Sequence, residues 1–271
     1  MRARLLLALT LALLCGACAS TRTTTPGGVP IDIRHASRNQ DSRVLFLVLH
    51  YTVADLAASI RVLTEEPHEV SAHYLVSDDA EPVIYRLVPE ERRAWHVGSS
   101  HWRGHQMLNA SSIGIEIVHP GFRMRADGTR EELPFPKAQI DALVPLVKDI
   151  VARHAIRPER IVGHSDVAPQ TKEDPGPTFP WKRLAEEGLI VWPDAQRVAA
   201  ERERFAQALP DIAWFQQALA RHGFAPLTSG MLDEATRRQL RALQMRFRPA
   251  DFSGTPDAET AAILHVLVTP P

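Results

Sequence analysis

The stretch VLFLVLH at residues 44–50 decides the fold. Its first six residues are all apolar, a run of strand length without the alternation of a half-exposed strand. Such a run predicts a central strand that is covered on both faces. The run stops at His50, and strand ends are positions where a rigid scaffold presents functional groups. The same residues therefore predict a sheet and a candidate site.

Helical and strand patterns alternate around this run. The predicted elements are a helix over residues 54–66, a hairpin over 72–87, a strand over 113–118, a helix over 140–154 and a short strand over 160–162. Pro145 predicts a kink in the second helix or a later start. Strands interleaved with helices predict an α/β fold over residues 31–195, with a mixed central β-sheet flanked by helices.

The pattern after Pro193 contains only short helices. Asp211 and Asp233 can each cap a helix, and Thr255-Pro256 can open a third. Residues 196–271 are therefore predicted to form a small all-α three-helix domain.

The N-terminus has the pattern of an export signal. Arg2 and Arg4 precede an apolar run over residues 5–14, which is shorter than the roughly 20 residues of a membrane-spanning helix. We therefore predict a signal peptide over residues 1–17.

The end of this signal, Gly16-Ala17-Cys18, resembles a lipobox, in which the cysteine is lipidated and becomes the first residue. The residues that follow Cys18, Ala19 and Ser20, include no aspartate, which resembles lipoproteins that are sent to the outer membrane. We expect a lipid anchor on Cys18, a flexible tether over residues 18–30 and a protein that faces the periplasm from the outer membrane. An ordinary signal with incidental cysteines is the alternative.

Composition excludes some partners. The 271-residue chain has a net charge of −1, whereas nucleic-acid binding favours a clustered basic face, so we expect no nucleic-acid partner. Cys15 belongs to the predicted signal and Cys18 is the lipidation candidate; no other cysteine exists, so the mature chain has no disulfide and no thiol nucleophile. We expect a monomer.

The segment GHSDVAPQTKEDPGP at residues 163–177 predicts a metal site. Two imidazoles and a carboxylate are the usual protein ligands of a catalytic zinc, with a fourth position left to water, and His50, His164 and Asp174 supply such a set. The ten-residue separation of the last two requires the loop to curl back, and its prolines lower the entropy cost of that curl. We predict one zinc ion per chain.

Two charged residues are candidates for the chemistry beside the metal. Glu116 lies in an apolar strand, where burial of a carboxylate is costly unless a cation or a metal-bound water pairs with it. Lys172 precedes Asp174 by two residues and can stabilise negative charge on a carbonyl oxygen. A solvent-facing Glu116 on an edge strand and a solvated Lys172 are the alternatives.

The segment RAWHVGSSHWRGHQMLN at residues 93–109 combines aromatic and histidine side chains in a predicted loop. Such loops around a metal suit a sugar-peptide ligand, and we predict Trp95 and His96 as substrate contacts. A second metal site that includes His101 and His105 is the alternative.

Five motifs in this order resemble the zinc-dependent N-acetylmuramoyl-L-alanine amidases, a family that includes phage-lysozyme-type amidases and peptidoglycan-recognition proteins. They are VLHYT (48–52), SAHYLV (71–76), RAWHVG (93–98), NASSIGIEIV (109–118) and GHSDVAPQTKEDPGP (163–177).

The resemblance implies that His50, His164 and Asp174 bind zinc, that Glu116 is the general base and that Lys172 is the oxyanion partner. The implied reaction is hydrolysis of the amide between the lactyl group of N-acetylmuramic acid and L-alanine, in peptidoglycan or muropeptides. Within the family, the chain is most similar to outer-membrane lipoprotein amidases that carry a C-terminal module.

Residues 214–264 resemble a three-helix peptidoglycan-binding domain. The usual Asp-Gly turn before the second helix is replaced by residues 228–233, so the module can bind peptidoglycan or only brace the catalytic domain. A non-catalytic peptidoglycan receptor and a structural lipoprotein that links the membrane to the cell wall are the alternatives to an enzyme.

Overall fold

The structure is a computed structural model that describes residues 21–269. The predicted signal peptide and Cys18 lie outside these residues. The described residues divide into two compact units, the first ending at Asp41 and the second beginning at Ser42. Within residues 21–269, no helix has the length and apolar character needed to cross a membrane.

The described part of the first unit contains a small hairpin. Strand β1 (Arg22–Thr24) pairs antiparallel with β2 (Pro30–Asp32), and Gly28 adopts a φ of 83° in the turn between them. The Thr, Gly and Pro composition of this segment predicted a flexible tether. However, β-branched threonines favour strands, and glycine readily adopts the left-handed conformation at a turn.

Among residues 21–269, the other strands and α-helices belong to the second unit. Its strands are β3 (Phe46–Tyr51), β4 (Tyr74–Val76), β5 (Ile84–Arg86), β6 (His101–Trp102), β7 (His105–Gln106), β8 (Ser112–Ile117), β9 (Phe122–Met124), β10 (Arg130–Glu132) and β11 (Ile161–Gly163). Its helices are α1 (Leu56–Thr64), α2 (Lys137–His154), α3 (His164–Val167), α4 (Trp181–Glu186), α5 (Ala195–Gln207), α6 (Ile212–His222), α7 (Glu234–Phe247) and α8 (Ala258–Val268).

A five-stranded sheet in the order β11-β3-β8-β4-β5 forms the centre of this unit. The first four strands are parallel, and β5 pairs antiparallel with β4, which confirms the predicted mixed sheet and the hairpin within it. Helix α2 continues through Pro145. This is possible because Pro145 lies on the exposed side of the helix, where water can bond the carbonyl that loses its partner.

Helix α2 covers one face of the sheet. Leu47 and Leu49 of β3 pack there with the three isoleucines of β8 at 113, 115 and 117 and with the apolar side of α2. Because side chains alternate along a strand, the residues between these point to the opposite face.

The C-terminal helices cover that opposite face. Phe46, Val48 and Val162 share one hydrophobic cluster with buried side chains of α5, α6, α7 and α8, among them Phe215 and Leu240. The boundary predicted at residue 195 therefore does not divide the hydrophobic core.

Three helices were absent from the sequence prediction. Helix α5 presents only Val198 and Phe205 as large apolar side chains, so its amphipathic pattern is sparse. Helices α3 and α4 span four and six residues, too short for a periodic signal. The three predicted C-terminal helices are present, and Asp211 and Asp233 cap the first two as predicted.

A buried ion pair joins helix α7 to the segment that carries His164 and Asp174. Arg246 Nη1 lies 2.6 Å from Asp166 Oδ2, and Arg246 Nη2 donates to the carbonyl of Ile161 at 3.0 Å. The guanidinium also stacks on Trp181, with Cζ 4.0 Å from the ring centroid. Asp166 in turn accepts the Gly163 N–H at 2.8 Å, so this pair fixes the start of α3.

We expect Arg246→Met to lower the free energy of unfolding by about 3–5 kcal/mol, because Asp166 would remain buried without its cation. Urea unfolding of the full chain measures this. Arg237→Met is the matched control: Arg237 lies on the same helix, is exposed and makes no ion pair within residues 21–269, so a change within about 0.5 kcal/mol is expected. Equal stability of the two variants would show that the pair contributes nothing.

Candidate metal centre

Strand register places three candidate residues in one row. Leu49 pairs with Gly163 across β3 and β11, so the residues that follow them, His50 and His164, stand side by side. His50 pairs with Glu116 across β3 and β8. All three belong to the face opposite α2, at the carboxyl ends of parallel strands.

The segment after β11 returns Asp174 to the same place. Helix α3 begins at His164, and the Ser165 N–H donates to the Asp174 carbonyl at 2.8 Å. Gly163 is required at the turn because a Cβ there would lie 2.6 Å from Pro175 Cδ. The curl predicted for this loop is therefore present, although it includes one helical turn.

Three donor atoms converge at this point. His50 Nδ1 lies 3.0 Å from His164 Nδ1 and 3.1 Å from Asp174 Oδ2, and the last two atoms are 3.2 Å apart. The three side chains are buried. Zinc bonds of about 2.0–2.2 Å in a tetrahedral site separate neighbouring donors by about 3.3 Å, so this triangle fits a zinc ion.

The protonation states of His50 and Asp174 also suit the binding of a metal ion. Burial lowers the pKa of His50 to about 4, so its imidazole is neutral at pH 7. Burial alone would raise the pKa of Asp174, but the charge and hydrogen bond of His164 and the hydrogen bond of His50 hold it below its usual range. A neutral imidazole at His50 and an ionised carboxylate at Asp174 are forms that bind zinc.

Glu116 lies at the floor of a cleft beside this triangle. Its Oε2 is buried and has no hydrogen-bond partner within the described residues. Burial, reinforced by the negative charge of Asp174, raises the pKa of Glu116 to about 8. A carboxyl group with such a pKa can take up and release a proton near neutral pH.

The cleft has a volume of about 420 Å³, which is within the range of small-molecule sites. Lys172 lines it together with Glu116, His164 and Asp174. Its side chain is exposed and makes no ion pair within the described part of the chain, and its charge lowers the pKa of Glu116 and of His50. The ammonium is therefore available to a ligand.

Trp95 and His96 differ in their surroundings. Trp95 is 50% exposed at the rim of the cleft, and its role as a substrate contact stays a prediction. His96 is buried, and its ring nitrogens lie 3.0 Å from His50 Nε2 and 3.0 Å from Ser112 Oγ. Both nitrogens thus have protein partners. His96 also lines the cleft, and its role as a substrate contact stays a prediction.

Sequence reasoning missed Ser112 and Gly114, which alternate with Glu116 on the polar face of β8. A Cβ on Gly114 would lie 2.4 Å from His96 Cγ, so the glycine makes room for the imidazole. Period-two alternation in SSIGIEIV was the available signal, but the partner of a glycine cannot be read from one sequence.

The alternative of a second histidine metal site has no support in the structure. Within residues 21–269, His50, His164 and Asp174 are the one group of three or more histidine, cysteine or acidic residues arranged to hold an ion. His101 and His105 lie in the short hairpin β6–β7 instead.

A buried His₂Asp triangle at an open cleft of a mixed α/β sheet defines a zinc-dependent hydrolase. The family model of N-acetylmuramoyl-L-alanine amidases matches residues 40–177, and that of the putative peptidoglycan binding domain matches residues 209–264. The amidase family is zinc-dependent.

Relatives match both segments together. The N-acetylmuramoyl-L-alanine amidase AmiD of Escherichia coli K12 is 43% identical over 264 residues, which cover 95% of this chain and 94% of AmiD. The structure of AmiD in complex with the substrate anhydro-N-acetylmuramic acid-L-Ala-D-gamma-Glu-L-Lys superposes with a TM-score of 0.80, at 41% identity, over 92% of this chain and 97% of AmiD. AmpDH3 of Pseudomonas aeruginosa has a TM-score of 0.80 and 40% identity, over 88% and 96% of the two chains. The chain belongs to the N-acetylmuramoyl-L-alanine amidase family.

The raised pKa of Glu116 has a consequence for stability. Between its ordinary value of 4.5 and about 8, the folded protein keeps a proton that the unfolded chain has released, so stability falls as pH rises. Glu116→Gln removes this titration. With metal removed by a chelator, we expect the stability of the variant relative to the unmodified protein to increase from about pH 5 to about pH 8. Urea unfolding at each pH measures it, and a constant difference would contradict the assigned pKa.

Proposed function

We propose that this protein hydrolyses the amide bond between the lactyl group of N-acetylmuramic acid and L-alanine in muropeptides or peptidoglycan, with His50, His164 and Asp174 as the zinc ligands. The observation that supports this most is the triangle of donor atoms, with edges of 3.0–3.2 Å, beside Glu116 and Lys172 in one cleft. Zinc, when bound, supplies a Lewis acid that activates water and polarises a carbonyl.

Glu116 is the proton carrier in this proposal. Its carboxylate accepts a proton from the attacking water and returns it to the amide nitrogen, which makes the amine of L-alanine an acceptable leaving group. Burial raises the pKa of Glu116 above its ordinary value, and such a carboxyl group can serve as a base in the first step and as an acid in the second.

Lys172 stabilises the charge that develops on the carbonyl oxygen. Its exposed ammonium lines the cleft and has no ion-pair partner to displace within the described residues. Trp95 offers a half-exposed aromatic surface at the rim, which suits contact with a sugar ring.

The test is mass spectrometry of anhydro-N-acetylmuramic acid-L-Ala-D-γ-Glu-L-Lys, and of the same peptide on ordinary N-acetylmuramic acid, after incubation with the full chain. We expect free tripeptide, one zinc per chain and no product after chelation. Glu116→Gln is expected to lose about 10²-fold or more of the activity while it keeps zinc.

Lys182→Ala is the control, because Lys182 is exposed on α4 and does not line the cleft. Loss of zinc together with activity in Glu116→Gln would make Glu116 a ligand rather than the base. A chain that holds sacculi equally well with and without metal and releases no peptide would be a receptor or a structural linker.

The proposed location is the outer membrane, with a lipid on Cys18 and the catalytic cleft in the periplasm. The lipobox-like Gly16-Ala17-Cys18 and Ser20 support it. The C-terminal helices, which share a core with the sheet, are proposed to brace the catalytic domain first, whatever they contribute to binding the wall.

We expect Cys18→Ser to move the protein from the membrane fraction to the soluble periplasmic fraction, because the lipid would have no attachment site. Cell fractionation with immunoblotting measures this. Cys15→Ser is the matched control, since that residue belongs to the part removed with the signal. Membrane association that persists in Cys18→Ser would refute the anchor.

A further inference from the structure

A chain of hydrogen bonds runs from a backbone carbonyl to the metal ligand His50. Ser112 Oγ lies 2.7 Å from the Leu108 carbonyl oxygen and 3.0 Å from His96 Nε2. His96 Nδ1 lies 3.0 Å from His50 Nε2. The far nitrogen of His50, Nδ1, is the one that faces His164 and Asp174.

The direction of each bond follows from the first. Two oxygens 2.7 Å apart need a hydrogen between them, and a carbonyl carries none, so the Ser112 hydroxyl donates to Leu108. Ser112 must then accept from His96, which places the His96 proton on Nε2. The Nδ1 of a neutral His96 is consequently an acceptor, and the proton of His50 lies on Nε2.

We propose that His96 is a positioning residue that holds His50 in the Nε2-protonated tautomer and so directs the lone pair of Nδ1 to the metal. This inference rests on the proposed zinc site. The reversed chain of bonds would put a proton on His50 Nδ1, between the ligand and the ion, and zinc would have to displace it.

The fold fixes His96 for this task. Asn109 Oδ1 accepts from the backbone N–H groups of His96 at 3.0 Å and of Val97 at 2.9 Å. The ring lies over Gly114, where a Cβ would come within 2.4 Å of Cγ and 2.5 Å of Nδ1. Neither Asn109 nor Gly114 forms part of the donor triangle. Both contact His96 instead, and they hold its ring in position.

The neighbouring His73 does not compete for this role. Its Nδ1 accepts from the Gly114 N–H at 3.0 Å, and its Nε2 donates to the Arg92 carbonyl at 3.1 Å. His73 is buried as deeply as His50 and its ring centroid is 5.8 Å from that of His96, yet it makes no bond to a metal ligand.

The test compares zinc affinity, measured by competition with a chromophoric chelator, in full-length variants. His96→Leu removes the acceptor for His50 Nε2, and we expect zinc to bind about 10- to 100-fold more weakly. His96→Asn places an amide oxygen near the position of Nδ1 and is expected to restore most of the affinity. Gly114→Ala displaces the ring and is expected to weaken zinc binding without touching a ligand.

His73→Leu is the control for a merely structural effect, since it removes an equally buried imidazole from the same region. We expect it to lower the unfolding temperature of the metal-free protein but to leave zinc affinity within about threefold, well inside the loss expected for His96→Leu. ¹⁵N NMR of the zinc-loaded protein, with labelled histidine, reports the tautomer of His50 directly and needs no variant.

The outcomes separate the two proposals. If the unmodified chain binds no stoichiometric zinc, the proposed function fails. If it binds zinc but His96→Leu and Gly114→Ala bind it equally well, or if NMR places the His50 proton elsewhere than Nε2, the positioning role is overturned. Should His96→Leu not fold, Gly114→Ala and the NMR measurement decide.

Discussion

The structure depends on the convergence of three donor atoms that must share a small space without protons between them. Two imidazole nitrogens and a carboxylate oxygen lie within 3.2 Å of one another in a buried environment. A cation bound by all three atoms relieves this arrangement, and the adjoining cleft gives water access to it. The convergence is produced by strand register: β11, β3 and β8 are aligned so that His164, His50 and Glu116 stand in one row. A shift of one residue in either pairing would turn a functional side chain to the face covered by α2.

Strand β8 shows how one short segment serves two purposes. Its isoleucines complete the core beneath α2, and its other face carries a serine, a glycine and a glutamate in succession. Ser112 fixes a proton, Gly114 admits the His96 ring and Glu116 reaches the cleft. The chemistry therefore uses positions that the hydrophobic core does not need, and the packed isoleucines hold those positions still. This rigidity is what a site with donor atoms in fixed places requires.

The sequence predicted those elements of the fold that short-range patterns, such as apolar runs and helix caps, determine. The apolar run before His50, the helix caps at Asp211 and Asp233 and the mixed sheet were confirmed by the structure. Local patterns could not reveal that His96 faces His50, because the two residues are 46 positions apart and no helix or strand period connects them. They also could not show that the C-terminal helices cover the sheet, because the apolar face of a helix does not indicate which other surface it packs against. Burial, which raises the pKa of Glu116, is likewise a property of the assembled fold.

Because the C-terminal module and the sheet share one hydrophobic core, the module contributes to the structure of the catalytic domain. A domain joined only by a linker can be removed with little effect on its neighbour. Here the face of the sheet that carries His50 and His164 is covered by the C-terminal helices, and Arg246 of α7 enters the base of the segment that carries Asp174. The three donor residues are thus supported by contacts from both parts of the chain. The likeness to AmiD over nearly the whole of both chains is consistent with this arrangement. Whatever the module binds, Arg246 and Asp166 join it directly to the first turn after β11, which begins at His164.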